Sequence, residues 1–173
     1  MQASEINLEN VSVPASAVLG EVDKGLALLE LGINNGILAV GAEAVGAMEV
    51  LYKTTVEYCK TREQFGQPIG KFQVLQHRMV DMFMEHEQAK SLLYMAALRM
   101  SEDDEVEALK AVSALKVQVG KGGRFVGQNA IQLHGGMGMT DELNVGHYFK
   151  RITAIETLFG NVDHHLKKYS QVA

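Results

Sequence analysis

Three long stretches of this chain space their apolar residues at alternating steps of three and four. That spacing settles most of what the chain can become. In the first, Leu28, Leu31, Asn35, Leu38, Ala42, Val45, Glu49, Tyr52, Val56 and Cys59 share one side. In the second the stripe is Leu75, Met79, Met82, His86, Ala89, Leu93, Ala96 and Met100. In the third it is Val112, Leu115, Val119, Gly122, Val126, Asn129 or Ala130, and Leu133. Such steps gather side chains on one face of an α-helix, whereas a strand alternates every second residue. The reading predicts helices over 23–60, 71–101 and 106–134, with Asp23 as the first N-cap. Shorter helices are expected over 142–155 and 161–169. Only two prolines interrupt the chain, so the long stretches are free to run unbroken. Long helices with short connections make an antiparallel bundle. The expected fold class is all-α, a bundle of four main helices.

Some details sit awkwardly in that picture and are informative for it. Gly32, Gly36, Gly41 and Gly46 recur along the first helix, and Gly120, Gly122 and Gly123 along the third. Each weakens a helix by up to about 1 kcal/mol, so some should answer to a close approach by a ligand or another backbone. The acidic run Glu102-Asp103-Asp104-Glu105 reads as a solvated turn that also brings negative charge to the next helix N-terminus. At the beginning, Ile6, Leu8, Val11 and Val13 alternate with polar residues, then Pro14 and Gly20 break the pattern. That is a strand with no partner. Residues 1–21 are therefore expected to be the strand and linker remnant of a middle β domain, with 22–173 as the helical bundle.

At 173 residues and 47% hydrophobic, the chain has enough apolar mass for one well-cored domain. A net charge of −5 opposes non-specific nucleic-acid binding, which needs a cationic surface. The single cysteine, Cys59, excludes an internal disulfide and suits a reducing compartment. No stretch of about 18 uncharged apolar residues reads as a membrane span; the nearest, 32–42, carries Asn34 and Asn35 and stops at Glu43. His86 lies on an apolar stripe and reads as a core histidine. His164 and His165 are adjacent, point in different directions on a helix, and have no further ligands at metal-binding spacing.

Two turns remain, each at the end of a predicted helix. One is Arg62-Glu63-Gln64-Phe65-Gly66-Gln67-Pro68-Ile69-Gly70-Lys71-Phe72-Gln73, the other Gln132-Leu133-His134-Gly135-Gly136-Met137-Gly138-Met139. Taken singly, Arg62 suits a helix C-terminus and Gly135-Gly136 suits a helix C-cap. Taken together, a guanidinium, amide side chains and bare glycine backbone are the groups that hold a dinucleotide's pyrophosphate.

In this order, and behind helices of this kind, the two turns resemble the C-terminal helical domain of the acyl-CoA dehydrogenases. The resemblance implies FAD as cofactor. Arg62 would hold the flavin pyrophosphate of a neighbouring subunit, with Phe65 packed on the cofactor, Gln64 near the phosphates and Gln73 close by. Gln132, Gly135 and Gly136 would meet the adenine and pyrophosphate end across a dimer, while His134 carries no assigned role. Asn161 and Asp163 stand where the family has polar groups touching flavin.

The resemblance fails where the family keeps its base. The commoner glutamate position, in a segment matching Thr157-Leu158-Phe159-Gly160-Asn161, falls on Phe159. The second, on the first helix, falls on Gly36. Glu156, three residues before Phe159, is the displaced candidate for the catalytic base. Glu43 lies on roughly the same face as Gly36 but about 10 Å further along, too far for proton transfer. The expected activity is FAD-dependent α,β-dehydrogenation of an acyl-CoA, passing electrons to electron-transferring flavoprotein, in a cytoplasmic bacterial homo-oligomer, a dimer or tetramer. The alternatives are a non-catalytic flavin-site subunit of a hetero-oligomer formed with a paralogue, or a flavin oxidase or monooxygenase of the same fold.

Overall fold

A computed structural model describes residues 4–172. Five helices carry the structure: α1 (Leu26–Thr61), α2 (Gln73–Arg99), α3 (Glu105–His134), α4 (Val145–Thr157) and α5 (Val162–Gln171). The short strands β1 (Glu63–Gln64) and β2 (Gln67–Pro68) pair antiparallel between α1 and α2. α3 is the central element and packs against α1, α2, α4 and α5. The bundle is therefore all-α, as the spacing required.

The α2 and α3 stripes face the core as expected: Met82, His86, Ala89 and Ala96 are buried on α2, and Val112, Leu115, Val119, Val126 and Leu133 on α3. The α1 stripe is displaced by about one residue. Ile37, Gly41, Ala44, Val45, Met48, Leu51, Thr55 and Cys59 are buried, whereas Ala42 is exposed and Leu38, Glu49, Tyr52 and Val56 are half-buried. The cause is close approach. A Cβ on Gly41 would lie 2.9 Å from Leu115 Cδ2, so the face of α1 nearest α3 is built from small residues that a hydropathy pattern underweights.

The same contacts correct the reading of the α3 glycines. Side chains, not another backbone, close in on them. A Cβ at Gly120 would lie 2.6 Å from Val162 Cγ2, and one at Gly123 2.6 Å from Ile152 Cγ2. Gly32 and Gly46 meet nothing within 4 Å. The acidic turn behaves as expected. Asp104 caps α3, its Oδ1 accepting from the amides of Val106 (3.1 Å) and Glu107 (3.0 Å).

Before α1 the structure differs more. No strand forms over residues 4–13, where Ile6, Leu8, Val11 and Val13 are exposed; residues 1–3 of the expected remnant lie outside the described ones. An unpaired strand has no ladder to hold it. Asp23 does not cap α1: its φ is +65° and the N-cap is Gly25. α1 is also long and apolar enough, by length and composition alone, to cross a membrane, contrary to the sequence reading, because Asn34, Asn35 and Glu43 are diluted among aliphatic neighbours. Part of that apolar surface is the core-facing stripe just described, and the stretch from Leu26 to Ile33 stands exposed.

Candidate functional site

The two turns singled out in the sequence come together. Arg62 is the C-cap of α1 and Gly135 the C-cap of α3. Arg62, Gln64, Gln132, Gly135 and Gly136 line one open cleft of ≈ 410 Å³ with Tyr58, Ile69 and His134. The register is locked from within. Tyr58, one helical turn before Arg62, stacks on the His134 ring at 4.3 Å, and its hydroxyl donates to the His134 carbonyl at 3.4 Å. His134 Nδ1 lies 2.8 Å from the Ala130 carbonyl, to which it donates, leaving Nε2 buried without a partner. Burial holds the imidazole below its ordinary pKa, the Ala130 bond partly opposing this. The sequence reading left Tyr58 out and gave His134 no role. Their spacing from Arg62 and Gly135 was the available signal.

The cleft carries a cation and an unobstructed glycine backbone. Among the described residues the exposed Arg62 guanidinium makes no ion pair, and the backbone at Gly135 (φ +59°) and Gly136 is open, with nothing within 4 Å of either Cβ position. The Gly135 amide itself donates to the Gln132 carbonyl, so the unpaired guanidinium and the room left by two glycines are what this cleft offers an anionic group.

Phe65 and Gln73 lie beside the cleft rather than in its lining. β1 and β2 leave a two-residue loop, Phe65-Gly66, whose φ values of +55° and +76° make a type I′ turn. Phe65 is 91% exposed there and touches Phe72 edge-on at 6.1 Å. A bulky residue in left-handed geometry costs roughly 1–2 kcal/mol, and the edge contact with Phe72 is the aromatic contact that offsets part of it among the described residues. Gln73 opens α2, exposed.

Asn161 and Glu156 sit elsewhere, at the α4–α5 turn. The Asn161 side chain caps α5, accepting from the His164 amide at 3.0 Å. Glu156 is largely buried and turns toward α3, with Oε2 3.6 Å from Arg124 Nη2 and Cγ 3.4 Å from the Cβ position of Gly120. Between them Phe159 (φ +57°) lays its ring over α1: a Cβ on Gly36 would lie 2.8 Å from Phe159 Cζ. The two positions where the resemblance places a base thus face one another, and neither carries a carboxylate. This turn is far from the cleft. Gly36 and the Arg62 end of α1 are separated by about 39 Å at 1.5 Å per residue, beyond the reach of one dinucleotide. No group of three or more His, Cys, Asp or Glu residues able to hold a metal occurs among the described residues.

An all-α bundle in which the ends of α1 and α3 meet at one open cleft defines a helical-bundle domain. Residues 23–171 match the family model of the acyl-CoA dehydrogenase C-terminal domain, and the chain belongs to that family. It is 35% identical over 161 residues to the short-chain specific acyl-CoA dehydrogenase of Megasphaera elsdenii, covering 89% of this chain and 40% of that protein. It is 33% identical over 147 residues to the caffeyl-CoA reductase-Etf complex subunit CarC of Acetobacterium woodii, covering 85% of this chain and 38% of that protein. The solved structure of PigA with FAD and proline superposes with a TM-score of 0.88 at 26% identity, over 94% of this chain and 42% of that one. The chain spans about two-fifths of the length of these relatives.

Proposed function

We propose that this chain serves as the C-terminal helical domain of an FAD-dependent acyl-CoA dehydrogenase that forms an α,β double bond in an acyl-CoA thioester. The supporting observation is the convergence of Arg62, Gln64, Gln132, Gly135 and Gly136 on one cleft. Arg62 would take a phosphate oxygen pair, the Gly135 and Gly136 backbone would approach the pyrophosphate, and Phe65 would cover an apolar face of the cofactor. FAD, when bound, supplies the hydride acceptor. The 39 Å between the Arg62 end of α1 and the Phe159 turn favours an oligomer in which the two ends serve different flavins. Residues 1–21 would then belong to the β domain that completes each site. Electron-transferring flavoprotein is the proposed acceptor, a reading supported by the relative named as part of an Etf complex.

A second reading follows from Phe159 and Gly36. With no carboxylate at either position, the α-proton must go to Glu156, released from Arg124, or to a base on another subunit. In the second case this chain is a flavin-site partner within a mixed oligomer. The test is anaerobic titration of the full-length, FAD-loaded protein with a panel of acyl-CoAs, following the flavin band. Bleaching that disappears in Glu156→Gln supports an active dehydrogenase with a displaced base. Bound flavin that bleaches only after addition of a paralogue supports the partner-subunit reading. Failure of the full-length protein to retain FAD would overturn both.

A further inference from the structure

The turn between α4 and α5 is gripped from inside the protein. Lys116, on α3, is only 1% exposed, and its Nζ donates to the Glu156 carbonyl in the last turn of α4 at 2.8 Å and to the Gly160 carbonyl at 2.7 Å. His165, also 1% exposed, reaches back from α5 and places Nε2 3.0 Å from the Phe159 carbonyl. A carbonyl can only accept, so Nε2 carries the proton, and Nδ1 is left buried without a partner. Three carbonyls within five residues therefore point inward onto two buried donors from two other helices.

Simple packing does not call for such groups. A buried ammonium and an imidazole with an idle nitrogen are costly to desolvate, and Met or Leu would fill the same volume. What the polar pair adds is direction. The chain at Phe159 and Gly160 runs through φ values of +57° and +102°, geometry that L-residues rarely adopt unless held. Gly160 itself has no room for a side chain, since a Cβ there would lie 2.6 Å from His164 Cδ2. The Lys116 charge also sits at the C-terminal end of α4, where free carbonyls favour a cation. With the three carbonyls turned inward, the side chain at 159 is turned outward over Gly36.

We propose that Lys116 and His165 are positioning residues that together aim the residue-159 side chain at Gly36, and so fix the wall at the substrate end of the flavin site. The functional half of this statement rests on the reading of positions 36 and 159 given above; the clamp itself needs no ligand. Neither residue is expected to touch substrate. Both act through the turn carbonyls.

Amide hydrogen exchange on the full chain, read by mass spectrometry, tests the clamp. Peptides covering 157–166 report the turn and peptides from α2 serve as the internal reference. His165→Leu and Lys116→Met each remove the donors while filling the space. His165→Gln keeps an N–H near the Phe159 carbonyl. The expected result is exchange about tenfold faster in the turn for His165→Leu, the size of one lost hydrogen bond to a buried acceptor, and at least as much for Lys116→Met, which loses two. α2 should be unchanged and protection in His165→Gln largely restored. Wild-type exchange in His165→Leu would overturn the proposal, as would equal acceleration of α2 or a His165→Gln variant as fast as His165→Leu. If Lys116→Met does not fold, the His165 pair decides alone. Retention of FAD by the wild-type full-length protein, measured separately, tests the reading of the site and leaves the exchange result standing either way.

Discussion

Phe159 covers Gly36 so closely that a single added carbon on α1 would sit 2.8 Å from the ring. Two positions more than a hundred residues apart are matched in shape, a large ring over a residue with no side chain. The match predicts strong coupling. In a double-mutant cycle by urea unfolding, Gly36→Ala in the Phe159→Ala background is expected to stabilise by about 0.5–1 kcal/mol through helix propensity. With Phe159 present that gain should vanish or reverse, leaving a coupling energy of about 1 kcal/mol or more. Strict additivity of the two changes would show that the ring does not rest on Gly36.

The same logic applies more severely at Gly123. Its Cβ position lies 2.6 Å from Ile152 Cγ2, and Ile152 is 2% exposed, so it has nowhere to move. Gly123→Ala should lower stability by about 1–3 kcal/mol, outweighing the helix-propensity gain of up to about 1 kcal/mol. A thermal midpoint at or above wild type would contradict the packing of α4 on α3.

Acid should weaken the fold in a defined window. Burial lowers His165 to about 4, with the Phe159 carbonyl opposing and the charges of Lys116, His164 and Lys168 adding to the shift. Burial also lowers His86 and His134. Glu87 stands 3.1 Å from His86 Nδ1, but off the direction a hydrogen bond needs, so the pair does not reverse the effect of burial. A histidine whose folded pKa is depressed is neutral in the native state, so the unfolded chain takes up its proton first. Stability should fall as pH drops from about 6.5 towards about 4 and then level off for this group, with His165 contributing on the order of 3 kcal/mol. Urea midpoints between pH 7 and pH 4.5 measure the slope, and His165→Gln should flatten it. An unchanged slope in that variant would remove His165 from the account.

Arg62 offers the cleanest separation of binding from stability. It is exposed and free of ion pairs among the described residues, so Arg62→Ala should leave the unfolding midpoint unchanged. In the full-length protein the same change should weaken FAD binding by about tenfold or more, the loss of a charge-assisted hydrogen bond of roughly 1.5–3 kcal/mol. Equal flavin affinity in the variant would place the diphosphate elsewhere.

Phe65 should show the opposite trade. Asn-Gly is the preferred type I′ pair, so Phe65→Asn ought to stabilise the hairpin by about 1 kcal/mol while speeding flavin release. Hairpin stabilisation is read from the thermal midpoint and release from flavin fluorescence. A variant both more stable and equally retentive would mean that the ring's exposure serves no cofactor.

Much of this was legible in the sequence because the signal was periodic or local. Met82, His86 and Ala89 on α2 and Leu115, Val119 and Val126 on α3 were found by spacing alone. The meeting of the two turns was legible through Arg62 and Gly135-Gly136, since a cation and a positive-φ glycine are both at home where helices end. The α1 face was misread because Gly41 and Ala44 bury against α3 through nearness rather than hydrophobicity. Lys116 was invisible for a related reason. A lysine next to Leu115 on an apolar helix reads as a charge escaping to solvent, and only the fold reveals the carbonyls of a turn some forty residues later waiting to receive it. The Phe159–Gly36 contact joins two places each noticed as lacking a carboxylate. That the two lacks fit one another needed three dimensions.

The length of α1 between Gly36 and Arg62 has a consequence for how a flavin site behaves on dilution. If each flavin is enclosed by the Phe159 end of one bundle and the Arg62 end of another, no solitary chain can close around its cofactor. Flavin retention then becomes a mass-action property of the assembly. Cofactor would be lost as subunits separate, and added FAD would drive them back together.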